Sequence, residues 1–133
     1  MLIVGAGLSG IGAAYHLQSE CPEREFVILE GREQLGGTWD LFRYPGIRSD
    51  SDMHTMGYGF KPWTENRAIS DGASILRYLE ETASEHGIHE KIRFNRRVVR
   101  ASWSSTKGLW TLEVASGETR ERWTCQVLMR CAG

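Results

Sequence analysis

The stretch Met1-Leu2-Ile3-Val4-Gly5-Ala6-Gly7-Leu8-Ser9-Gly10, answered by Phe26-Val27-Ile28-Leu29-Glu30, decides the fold. A short apolar run ends in glycines and a helical pattern begins at once. Gly10, Ala13, Ala14 and Leu17 fall at i, i+3, i+4 and i+7, a narrow face of small residues able to lie close against a sheet. Pro22 stops that helix. Phe26 to Leu29 is too short an apolar run for a helix and reads as a buried strand, so the first thirty residues are β-α-β.

A GxGxxG is a weak signal alone. Here it follows a strand, opens a helix and is answered by an acidic residue at Glu30, which is the context of a dinucleotide-binding fingerprint. Gly5 permits the tight turn, Gly7 lets a pyrophosphate approach the backbone, and Gly10 lets the helix sit close to the strand. The helix N-terminus supplies free N–H groups and a partial positive charge, with Ser9 in its first turn. Glu30 can accept the ribose hydroxyls and would repel a ribose 2′-phosphate, which disfavours NADP at this site and leaves FAD or NAD.

Working outward, residues 31–70 show no clean period and are rich in Gly, Asp, Ser, Arg and aromatics, as expected of backbone organised around a ligand. Ser70 or Asp71 can cap a helix with Ile75, Leu76, Leu79 and Ala83 on one face and Gly87 as its stop. Alternating segments at Val99-Ala101-Trp103 and Trp110-Leu112-Val114, joined by turns at Gly108 and Ser116-Gly117, form a β-meander. Val127 to Gly133 reads as one more strand, in which Arg130 interrupts a run that should be buried. The expectation is an α/β fold: a partial Rossmann-like domain with a parallel sheet from strands near residues 2, 28 and 128, helices near 9–20 and 72–86, and an antiparallel meander near 97–125.

Sixteen Lys+Arg balance 17 Asp+Glu in 133 residues. No basic face is available for nucleic acid, and no run reaches the ~20 apolar residues that span a bilayer. Cys21, Cys125 and Cys131 form no CxxC pair, so a reducing cytoplasm is expected. His86 and His89 lack a third ligand, so no metal is expected. Arg96-Arg97 and Arg120-Glu121-Arg122 read as solvated faces, and Asp52 as a solvated loop carboxylate.

Gly36-Gly37-Thr38-Trp39, followed by Arg43-Tyr44-Pro45-Gly46-Ile47-Arg48-Ser49-Asp50-Ser51-Asp52, resembles the N-terminal FAD-binding part of class B flavoprotein monooxygenases of the Baeyer–Villiger type. The resemblance covers essentially the whole chain. It implies FAD, with Gly37, Thr38, Trp39, Asp40 and Leu41 along the flavin side and the Val98 main chain at the adenine. It further implies that Arg48, Ser49 and Asp50 lie between the flavin and the nicotinamide of NADPH, with Asp50 as the catalytic candidate that positions a basic residue. The small-molecule substrate would be a ketone, thioether or thioamide, oxygenated with NADPH and O2. Trp39, Phe42, Tyr44 and Trp63 could exclude water from the flavin, although Trp63, Tyr58 and Phe60 read better as loop-anchoring core. The family's FxGxxxHxxxW-type signature and second glycine fingerprint do not occur in these 133 residues. Residues 1–133 are therefore expected to be the N-terminal part of an FAD-binding domain without the NADPH-binding domain, the alternative being a non-catalytic FAD-binding module or remnant.

Overall fold

The computed structural model describes residues 1–133. Strand β1 (Leu2–Val4) leads through helix α1 (Leu8–Glu20) to β2 (Val27–Leu29). Two single-turn helices, α2 (Thr38–Leu41) and α3 (Met53–Met56), punctuate the long loop before helix α4 (Gly72–Glu85). Strand β3 (Ile92–Arg93) follows a 3-10 turn, then come β4 (Arg97–Ser104), β5 (Leu109–Ser116), β6 (Thr119–Cys125) and β7 (Leu128–Arg130).

One sheet is parallel, in the order β3-β2-β1-β7; Ile3 pairs with Ile28 on one side and with Met129 on the other. The second is the antiparallel meander β4-β5-β6. The short central strands are apolar throughout because both of their faces are covered, as parallel strands require. Ile3 and Ile28 face the helical layer and join Ile11, Ala14, Ile75 and Leu79 in the larger core. Leu2 and Leu29 alternate to the opposite face, where Leu112, Val114 and Cys125 of the meander close over them. The meander thus acts as the second cover of the parallel sheet.

Local chemistry sets the helix ends. Asp71 is the N-cap of α4, its carboxylate accepting the Ser74 N–H at 2.9 Å, and Gly87 beyond the C-terminus adopts φ +64. Helix α1 gives way at Cys21, one residue before Pro22. The long loop is held by aromatic packing: Tyr15 stacks on Phe60 at 3.5 Å between centroids, and Phe60 on Tyr58 at 4.7 Å. Trp63 is buried and donates to the Arg67 carbonyl, so Tyr58, Phe60 and Trp63 anchor the loop as expected.

Two expectations need correction. Ile92–Arg93 is a fourth parallel strand beside β2, too short to show a period in sequence. Arg130 is not buried: β7 lies at the edge of its sheet and the side chain is exposed, so no desolvation cost arises. Asp52, read as a solvated carboxylate, is exposed and also caps α3 by accepting the His54 N–H at 2.7 Å.

Candidate functional site: a glycine-floored cleft

A cleft of about 720 Å³ opens at the C-terminal ends of β1 and β2. Its floor consists of two glycine turns in mutual contact. Gly5 has φ +103, and a Cβ there would sit 2.5 Å from the Cys131 carbonyl oxygen of the segment after β7. At Gly10 a Cβ would fall 1.9 Å from the Gly5 oxygen, so α1 can approach β1 this closely only without a side chain. Gly37, at φ +56, lies so near Gly7 that a Cβ would come within 3.0 Å of the Gly7 Cα. The Gly36 N–H ties the turns together by donating to the Ala6 carbonyl at 2.9 Å.

Above this floor α1 begins with Gly7 as its N-cap, a residue with no side chain to offer the first-turn N–H groups, and with no acidic residue in that turn. Those donors and the positive end of the helix dipole are left for an anion. Glu30 lies at the end of β2, buried at 6% exposure. Its Oε2 accepts the Ala6 N–H at 2.8 Å and its Oε1 the Arg32 N–H at 2.9 Å. A carboxylate offers about four lone-pair sites, so each oxygen retains capacity for a hydroxyl donor.

Of the residues singled out from sequence, Gly5, Gly7, Ser9, Glu30, Gly37, Thr38, Trp39, Leu41 and Val98 line this cleft. Gly10 lies beneath it, at the close approach to Gly5. Asp40 does not line it. Its carboxylate is 3% exposed and turns the other way, pairing with Arg32 at 2.5 Å and with Arg43. Burial pushes the Asp40 carboxyl upward, but hydrogen bonds from Arg43 and Arg32, with their charges, outweigh it and hold it below the ordinary carboxylate range.

Arg48, Ser49 and Asp50 also lie off the cleft. Ser49 is buried and strapped to the residue before the α4 cap: its N–H donates to the Ser70 carbonyl at 2.8 Å and its Oγ accepts the Ser70 N–H at 3.1 Å. The Arg48 backbone forms an isolated antiparallel β-bridge with that of Asp71, and the Gly72 N–H donates to the Ile47 carbonyl. A Cβ on Gly72 would touch both Ile47 at 3.0 Å and the Trp39 ring at 3.7 Å, so this strap runs beside Trp39. Asp50 itself is exposed. Phe42 and Tyr44 are 50% and 60% exposed and are no part of the cleft wall; Trp39 is the aromatic that is.

Sequence reading passed over Arg32 and took Arg96 and Arg97 for solvated faces. Arg32, Arg96 and Arg97 all line the cleft, where the start of β4 crosses the end of β2. The contact between Arg97 and Gly31 that brings them there is made by a strand sixty-six positions away in the chain, and no local pattern encodes it.

A glycine-floored cleft at the carboxyl ends of parallel strands, with an uncapped helix N-terminus on one side and a carboxylate at the end of the next strand, defines a dinucleotide-binding βαβ domain. The chain belongs to the NAD(P)-binding Rossmann-like domain family, whose model matches residues 3–70.

It is 53% identical over 133 residues to the FAD-containing monooxygenase EthA of Mycobacterium tuberculosis, covering 100% of this chain and 27% of that protein. It is 50% identical over 134 residues to a probable FAD-binding monooxygenase, AlmA, of Acinetobacter sp, again covering 27% of the relative. Among solved structures, OTEMO in complex with FAD and NADP superposes with a TM-score of 0.87 at 29% identity, over 99% of this chain and 25% of that one. The chain thus spans about a quarter of the length of the relatives it matches, and the resemblance to flavin-dependent monooxygenases carried by its motifs is borne out. No helix is long and apolar enough to cross a membrane.

Proposed function

We propose that residues 1–133 form the FAD-binding part of an NADPH- and O2-dependent flavin monooxygenase. The observation that carries this reading is the contact between Gly7 and Gly37. Two turns far apart in sequence are both stripped of side chains where they meet, and that open backbone floor has the shape a pyrophosphate and the adjoining sugar chain of FAD require. Bound there, the flavin supplies acceptance of a hydride from a nicotinamide and activation of O2.

Each residue then has a role in holding that group. The first-turn N–H groups of α1, with Ser9, bind the pyrophosphate. Glu30 accepts from the adenine ribose with the lone pairs that Ala6 and Arg32 leave free. Thr38, Trp39 and Leu41 line the flavin side, and Trp39 restricts water there. The Ile47–Ser49 strap fixes the direction in which Asp50 leaves toward the nicotinamide side, where it positions a basic group near the reacting atoms. The substrates are small ketones, thioethers or thioamides.

The test is titration of the ligand-free chain with FAD and with NAD, read by flavin fluorescence and by calorimetry. FAD is expected to bind well ahead of NAD, with Gly7→Val abolishing the binding while the fold, read by circular dichroism, persists. Preference for NAD, or FAD affinity unmoved by Gly7→Val, overturns the assignment.

A further inference from the structure

Three arginines line the nucleotide cleft, and they are not equivalent. Arg32 is committed to Asp40 at 2.5 Å and Arg96 to Glu121 at 2.8 Å. Arg97 has neither an ion pair nor a side-chain hydrogen bond, although it packs against the residue that follows Glu30. No ion pair joins it to Glu30, whose two oxygens accept the backbone N–H groups of Ala6 and Arg32.

The stem of Arg97 is nevertheless well placed. Its Cβ and Cγ lie 3.4 Å from where a Gly31 Cβ would stand, so the base of the side chain packs beside the residue directly after Glu30. Val98, the next residue of β4, lines the same wall. A planar cation is thereby left free beside the end of the cleft where the strand-end carboxylate stands.

We propose that Arg97 lays its guanidinium over the face of the adenine ring and so acts as a specificity-determining residue for the nucleoside half of the cofactor. This rests on the FAD reading given above. A guanidinium suits that role because it is flat, weakly hydrated and attracted to a π face, whereas a lysine ammonium would remain a hydrated point charge. Arg32 and Arg96 beside it are instead directed by their carboxylate partners, Asp40 and Glu121.

The experiment measures FAD affinity of the ligand-free chain, with ADP and FMN as overlapping adenine-bearing and flavin-bearing fragments read by competition against FAD. Arg97→Ala should weaken FAD and ADP alike by about three- to thirtyfold and leave FMN unchanged, with Arg97→Lys between the two. Arg100→Ala, an exposed arginine of the same strand outside the cleft, should match the wild type. Thermal melts of all variants check folding. Unchanged FAD affinity in Arg97→Ala beside a tightly binding wild type overturns the inference alone, as does an equal loss for FMN, which would mark a phosphate contact or a packing role. A wild-type chain that retains no FAD removes the FAD reading, and this inference with it.

Discussion

The backbone N–H of Ala6, in the middle of the glycine turn, donates to Glu30 Oε2 over 2.8 Å. The residue read from spacing as a ribose acceptor is therefore also a tie that holds the first turn against the second strand, before any ligand arrives. This tie and the proposed ribose role are separable because they use different lone pairs.

Glu30→Ala is expected to cost stability in the ligand-free chain, since it leaves the buried Ala6 N–H without an acceptor, a loss of about 1–3 kcal/mol. FAD affinity should fall in addition by about tenfold or more for each ribose hydrogen bond lost. Urea denaturation without ligand and FAD titration, run on the same preparations, separate the two. Undiminished stability with reduced affinity would show that the Ala6 contact contributes nothing to the fold.

The glycines of the chain differ sharply in what they can tolerate. Gly10→Ala would drive a Cβ into the Gly5 carbonyl oxygen at 1.9 Å, a backbone atom that no rotamer change can move. The expected loss is at least about 3 kcal/mol, by overpacking of α1 against β1. Gly59→Ala, with nothing within 4 Å of the added carbon, should stay within about 0.5 kcal/mol of wild type. Chemical denaturation of both variants is the check, and a Gly10→Ala chain as stable as Gly59→Ala would refute the close approach.

How much of this was legible in sequence follows from the range of the interactions. The β-α-β opening, the α4 cap at Asp71 and the meander depend on neighbours within one or two turns, and glycine spacing, capping residues and alternation report them directly. The fingerprint residues fall at the cleft for the same reason, whereas Val98 was implied by the family resemblance and arrives on a strand distant in the chain. Asp40 shows where that reasoning stops. Its motif implied a place along the flavin side, but the direction of its carboxylate is set by Arg32 and Arg43, and the one-turn helix that carries it has no periodicity from which to read a face. Strand β3 is two residues long and takes its identity from pairing with β2.

The Asp40 cluster should be asymmetric when dissected. Asp40→Asn leaves Arg32, which is half-buried, without its carboxylate and is expected to cost about 1–3 kcal/mol. Arg43→Ala removes a guanidinium that is 67% exposed and should cost less than about 1 kcal/mol. Because Asp40 ties the segment after Glu30 to α2, Asp40→Asn should also speed FAD dissociation, which Arg43→Ala should leave nearly unchanged. Stopped-flow release of FAD measures this, and equal effects of the two variants would count against Arg32 as the partner that matters.

Acid should act on the fold through the same carboxylate. Burial opposes ionisation of Asp40, yet the hydrogen bonds and charges of Arg43 and Arg32 hold its carboxyl below the ordinary value of 3.8. Asp71 is lowered as well, first by the Ser74 N–H that it caps. A group whose folded-state value lies below its unfolded one adds stability that is fully present above the unfolded value, about 3.9, and disappears as pH falls through the folded value. Unfolding free energy should therefore fall between about pH 5 and the folded-state values below 3.8, and not change on this account between pH 6 and 8. Asp40→Asn and Asp71→Asn should each flatten that acid limb by removing one of the two titrating groups. Urea midpoints recorded across the acid range decide it: an acid limb equally steep in wild type and in the double variant would mean that neither carboxylate carries the dependence.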